Sequence, residues 1–115
     1  MRFKEKEQIR EMYNLYNWKC FVTGNPVRER AHILGQGKTS RSKWGNDVID
    51  NPLNWLPADG LDSNNLISID SPVLQENVAS IILTNQLTET EKRKMINNFV
   101  RENIKRKRGK YERHI

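Results

Sequence analysis

One hundred and fifteen residues, 36% hydrophobic and 30% charged, suffice for one compact domain and are too few for two of ordinary size. No run approaches the roughly 18 apolar residues of a membrane span, and the opening Met1-Arg2-Phe3-Lys4-Glu5-Lys6 lacks the apolar stretch of a signal peptide. The chain is therefore expected to stay in the reducing cytoplasm where it is made, its single cysteine, Cys20, unpaired.

The net charge is +6, and residues 101–115 hold +5 of it: Arg101, Lys105, Arg106, Lys107, Arg108, Lys110 and Arg113 against Glu102 and Glu112. A basic tail on a near-neutral body points to a polyanion, with nucleic acid ahead of membrane because no apolar face accompanies it. The plainer alternative is a solvated helix end.

In chain order, Ile9, Met12, Tyr13 and Tyr16 recur at helical spacing and predict a helix from about Lys4 to Asn17. Cys20-Phe21-Val22 reads as a short strand and Thr23-Gly24-Asn25-Pro26 as a turn, so Val27 to Leu34 becomes the returning strand of a hairpin. Alternation sets Val27, Glu29, Ala31 and Ile33 on a core-like face and Arg28, Arg30, His32 and Leu34 on a wet one. Residues 35–50 read as loop, rich in Gly and Ser with Lys38, Arg41, Lys43 and Trp44 interleaved. Trp55 reads as a core anchor and Trp18 as packing. A helix is expected from Leu61 to Ile69. Another opens at Ser71-Pro72, with serine as cap, and a last one at the capping box Thr88-Glu89-Thr90-Glu91. His114, next to the end, is read as inert.

Two familiar motifs fail. Gly37-Lys38-Thr39 is not a phosphate loop, since His32 stands where the first glycine is required. A structural zinc is not expected, because Cys20 has Thr23 where a second thiol would stand.

The ordered stations Cys20-Phe21-Val22-Thr23-Gly24, Ala31-His32-Ile33, Lys43-Trp44-Gly45, Ile49-Asp50-Asn51-Pro52-Leu53-Asn54 and Ser63-Asn64 are the informative constellation. Over about residues 19–69 they resemble a phage and bacterial branch of the HNH endonuclease family. The resemblance implies an α+β fold, a small ββα-metal module with an N-terminal helix and two C-terminal helices. It implies a metal-dependent DNA endonuclease, in which His32 is the general base and also a metal ligand, Asn54 orients the loop presenting His32, and Asn64 is a metal ligand on the helix. Phosphodiester hydrolysis needs an activated water, a group that absorbs charge on the leaving oxygen, and cations that hold the backbone. An imidazole with its usual near-neutral pKa suits the base.

Family members often carry Asp or His directly before the base; Ala31 stands there, so the second ligand to Mg²⁺ or Mn²⁺ falls to Asp62 or Asp59. Asp59 and Ser63 stand at the family's later cysteines, and Asn51 where the branch often has histidine. Arg28, Arg30, Lys38, Arg41 and Lys43 would hold phosphates, and Lys105, Arg106, Lys107, Arg108 and Lys110 would add affinity through counterion release. Such cations read phosphate rather than sugar, so RNA stays open as a substrate. With one site per chain a monomer nicks and a homodimer cuts both strands. The competing reading is a catalytically degenerate domain on the same scaffold, binding DNA or protein as a regulator or inhibitor.

Overall fold

The capped and periodic segments form helices where their sequence demands it. The computed structural model describes residues 3–112, and side chains for 3–109; Arg113 and His114 lie outside the described residues, as does the side chain of Lys110. Helix α1 (Phe3–Leu15) buries Met12 and half-buries Ile9 and Tyr13, while Tyr16 follows just past its end. Helix α5 (Pro72–Leu83) starts on the Ser71 hydroxyl, which accepts from the Leu74 amide, with Pro72 in the first turn where no amide is needed. Helix α6 (Glu89–Glu112) opens with both bonds of the capping box: the Thr88 hydroxyl accepts from the Glu91 amide, and the Glu91 carboxylate accepts from the Thr88 amide. It runs through Gly109 without a break, so the basic segment is helical as far as Glu112.

The sheet departs from expectation. Its two strands are β1 (Glu29–His32) and β2 (Trp55–Ala58), antiparallel, with Glu29 opposite Ala58 and His32 opposite Trp55. The expected partner, Cys20-Phe21-Val22, is instead a turn held by one bridge between Lys19 and Pro26, and Gly24 supplies its left-handed backbone (φ 77°). The Phe21 amide reaches the Pro57 carbonyl at 2.9 Å, which fastens this turn to the outer edge of β2.

Residues 38–49, expected as loop, form two short helices, α2 (Lys38–Trp44) and α3 (Asn46–Ile49), separated by Gly45 at φ 87°. Arg41 welds them. Its guanidinium donates to both Asp50 carboxylate oxygens (2.8 and 3.0 Å), to Asn46 Oδ1 and to the Gln36 carbonyl. These contacts override the weak helix propensity of the Ser- and Thr-rich run.

Helix α4 (Leu61–Ile67) follows β2 directly, giving a strand–strand–helix unit inside an α+β fold. The pleat sends Glu29, Ala31, Leu56 and Ala58 to one face of the sheet, towards α4, and Arg30, His32, Trp55 and Pro57 to the other, towards α1. Helices α5 and α6 pair with each other, and α6 also packs on α4. The core joins Ala31, Ile33, Leu56 and Ala58 of the hairpin to Ile67, Val78, Ile82, Ile96 and Val100 of the helices. Both faces of β1 are covered at its far end, so His32 and Leu34 are buried where alternation predicted a wet row. Among the described residues no single helix is long and apolar enough to cross a membrane.

Candidate functional site

His32 ends β1 and opens into a cleft of about 850 Å³ lined by α1, the hairpin and the start of α2. The ring is 9% exposed and meets Trp55 edge-on, with centroids 6.4 Å apart. Arg30 lies on the cleft wall with its guanidinium 4.5 Å from the Trp55 ring centre and a 2.8 Å ion pair to Glu5 of α1. Arg41 stands at the other side, paired with Asp50. Burial pushes the His32 pKa down to about 4, helped by the charges of Arg30 and Arg41 and opposed in part by Asp50 and Glu5. At neutral pH the imidazole is therefore uncharged, in a cleft it shares with two guanidiniums. The shift away from near-neutral makes it a weaker base than the sequence alone implies.

Asn54 controls where that ring sits. It is fully buried; its amide nitrogen donates to the carbonyls of Leu34 (3.0 Å) and Ile49 (3.1 Å), and its carbonyl oxygen accepts from the Leu34 amide (2.8 Å). Its own backbone carbonyl accepts from the Ile33 amide at 2.9 Å. One residue thus closes the 35–53 excursion against the strand end that carries His32. Asn51 caps the short 3₁₀ turn Pro52–Asn54 through its side-chain oxygen, which accepts from the Leu53 amide.

Of the expected site residues, Asn54 stands behind the strand end that carries His32, and Arg30 and Arg41 line the cleft of His32. Asn64 is elsewhere. Its side-chain amide donates to Glu29 at 2.7 Å, on the opposite face of the sheet and at the other end of the strand from His32, about 10 Å along it. Asp59 is held by Ser63, Thr23 (2.6 Å) and Asn25 (3.1 Å), which draw its pKa down to about 2. Cys20 lies against the same knot; burial raises its thiol pKa, but hydrogen bonds with Thr23 and Ser63 outweigh this and the net shift is downward. Asp62 is exposed in the first turn of α4. The expected ligand set of His32, Asn64, Asp62 and Asp59 does not converge, and among the described residues no three His, Cys, Asp or Glu side chains form a metal-binding group. Asn64, Asp62 and Asp59 thus do not share a centre with His32. Ala31, where a ligand would precede the base, is wholly buried in the core.

Among the expected phosphate contacts, Arg28, Lys38 and Lys43 are exposed, and the Lys43 ammonium sits 4.8 Å over the Trp44 ring. Lys105, Arg106 and Arg108 are exposed on α6. Lys107 is not available: its ammonium donates to the carbonyls of Asn65 and Ser68 and satisfies the end of α4, beside Asn103, which donates to Leu66 and Ser68. Burial in that position lowers the Lys107 pKa. Trp55 is buried as expected, but Trp18 is largely exposed, with left-handed backbone (φ 59°) and an edge contact to Tyr13.

The residues that line the cleft with His32 and that sequence reasoning missed are Lys4, Glu5, Gln8, Gln36 and Asp50. Asp50 stood within a quoted motif. Glu5 carried no signal, since its pairing with Arg30 spans 25 positions. No family model, no curated protein and no solved structure matches this chain.

Proposed function

We propose that this chain is an HNH-type domain that acts on nucleic acid and seats a phosphodiester of DNA in the His32 cleft. The observation that carries the reading is a buried, uncharged imidazole in a cleft it shares with Arg30 and Arg41, at a strand end tied down by Asn54. In this reading the two guanidiniums exchange their carboxylate partners for phosphoryl oxygens, where bidentate charge-assisted bonds are favoured. His32 takes the proton from the attacking water, and Asn54 fixes the backbone that aims it. Arg28, Lys38 and Lys43 hold the flanking backbone. The chemistry of the family would use Mg²⁺ or Mn²⁺ to absorb charge on the leaving oxygen, but no step is assigned to an ion that Asn64, Asp62 and Asp59 are not arranged to hold. The protein is proposed to work in the cytoplasm of a bacterial host, as a monomer that nicks or a homodimer that cuts both strands.

That donor arrangement, with Ala31 in the core, favours a second reading: a domain of the same type that binds the nucleic-acid backbone without cleaving it, as a regulator or inhibitor. Supercoiled plasmid incubated with Mg²⁺, Mn²⁺ or EDTA separates the two. Nicking that disappears in His32→Ala, with DNA binding retained and circular dichroism showing the variant folded, supports the hydrolytic reading. Intact plasmid in every arm, alongside retained DNA binding, overturns it in favour of the second.

A further inference from the structure

We propose that α6 is a DNA-docking face in its own right, a stripe of Lys94, Asn98, Arg101, Lys105 and Arg108 that lies along one backbone of duplex DNA. These five residues are all exposed and recur at spacings of four, three, four and three, which keeps them within about 40° of one line along the helix. Ile96, Val100 and Ile104, buried positions of the same helix, lie about 160°, 120° and 80° round it from this line. It is about 21 Å long and spans about six base-pair steps of a duplex.

Three features make this stripe more than a solvated flank. Among the described residues the four cations make no ion pair, the two pairs there being Glu5–Arg30 and Asp50–Arg41. Glu91, at the border, is engaged with Thr88, and Glu102 projects about 80° round the helix from the line. Finally, Arg101 is pre-oriented, its guanidinium 5.0 Å from the Phe21 ring centre and 3.4 Å from Asn98 Oδ1.

The stripe carries no aromatic residue, so it has no platform for stacking unpaired bases, and a rigid duplex backbone suits it better than a single strand. It also redraws the basic region. Lys94 belongs to the face although it precedes the basic segment 101–115, and Lys107 does not, because it closes α4. The inference rests on the reading above only in choosing DNA among polyanions, and its geometry is independent of His32.

The test is fluorescence anisotropy with a labelled 20-base-pair duplex across a salt series. It compares the wild type with Lys94, Arg101 and Lys105→Gln together, and with Lys6, Arg10 and Lys19→Gln together, a variant that removes the same charge from exposed sites elsewhere. The expected result for the stripe variant is a loss of about two to three in the slope of log K against log salt, and at least tenfold weaker binding at low salt. The control variant should bind within threefold of wild type, and circular dichroism should show both folded. Equal weakening in the two variants overturns the stripe, because net charge alone then explains binding. So does unchanged binding in the stripe variant, and so does a wild type that binds duplex RNA or anionic vesicles through these residues but not DNA. A wild type that loses duplex binding in the stripe variant yet never nicks plasmid overturns the hydrolytic reading and supports the stripe. Plasmid nicking that depends on His32 and survives in a stripe variant with unchanged affinity does the reverse.

Discussion

The two ends of the four-residue ladder are built from opposite materials. At the His32–Trp55 end the polar groups are a buried amide, an imidazole held neutral and two guanidiniums, each met by one carboxylate. At the Glu29–Ala58 end they are carboxylates satisfied by neutral donors: Asn64 on Glu29, and Ser63, Thr23 and Asn25 on Asp59. A divalent cation wants oxygen donors and imidazole on one centre, whereas an anion wants the first end alone. Four residues of strand, with the reversal of face that the pleat imposes, are enough to keep the two chemistries apart.

The sharpest way to break the contrast is at Asn54. Asn54→Ala strands the Leu34 amide and the carbonyls of Leu34 and Ile49 in the interior, and should cost about 3 to 5 kcal/mol in a denaturant titration. A cost below 1 kcal/mol would mean that the excursion holds itself in place.

His32 comes next. Its pKa is depressed in the fold, to about 4 from an ordinary 6.5, so the unfolded chain binds the proton more readily. Its contribution is complete above pH 6.5 and is lost as pH falls towards 4. After allowance for water in the cleft this amounts to about 2 kcal/mol. Thermal melts at pH 7 and pH 4.5 should show that difference in the wild type and a smaller one in His32→Gln; equal slopes would place the pH sensitivity elsewhere.

The carboxylate end answers differently to acid. Asp59 is held at about 2, so the stability it confers is present above its ordinary pKa and lost as pH falls through 2. Ser63→Ala removes a nearly buried donor to that carboxylate, and should cost about 1 to 2 kcal/mol at pH 7 and move the acid limb of a melting curve upward. An unmoved acid limb would discharge Ser63 from the knot. The smallest effect belongs to Glu5→Gln, which frees Arg30 from a half-exposed pair. It should change stability by less than about 1 kcal/mol and tighten inorganic phosphate binding about threefold, read from the melting shift in phosphate.

Helices were legible in the sequence wherever one element carried its own evidence. Ser71-Pro72 and Thr88 with Glu91 announce their helices because a cap is a bond between residues three apart. The sheet was not legible in the same way. Its second strand is Trp55-Leu56-Pro57-Ala58, a four-residue run containing a proline, and its pairing with β1 closes a gap of 22 residues between His32 and Trp55 that no local pattern records. Pro57 is tolerated because β2 has β1 on one side only. The helices at 38–49 were hidden for a related reason, since Arg41 forms them through Asp50, nine positions away. At the site, His32 stood out by residue type and by family resemblance. Its neutrality could not be read, because burial and the approach of Arg41 are tertiary facts. The separation of Asn64 from His32 was likewise invisible, since motif order along a chain does not say which face of a strand each residue serves.

The side chain of Asn54, which follows a nineteen-residue detour, grips Leu34 just before it and Ile49 within it, and this makes the detour a cassette with its own clasp. Closing a flexible loop costs free energy that grows only with the logarithm of its length, so once the clasp is shut the chain between its jaws is free to lengthen, shorten or change composition at small expense to the hairpin. The chemistry at the mouth of the His32 cleft can therefore be retuned through the exposed positions of α2, while α3, whose Val48 and Ile49 belong to the core and whose Ile49 carbonyl Asn54 holds, stays in place.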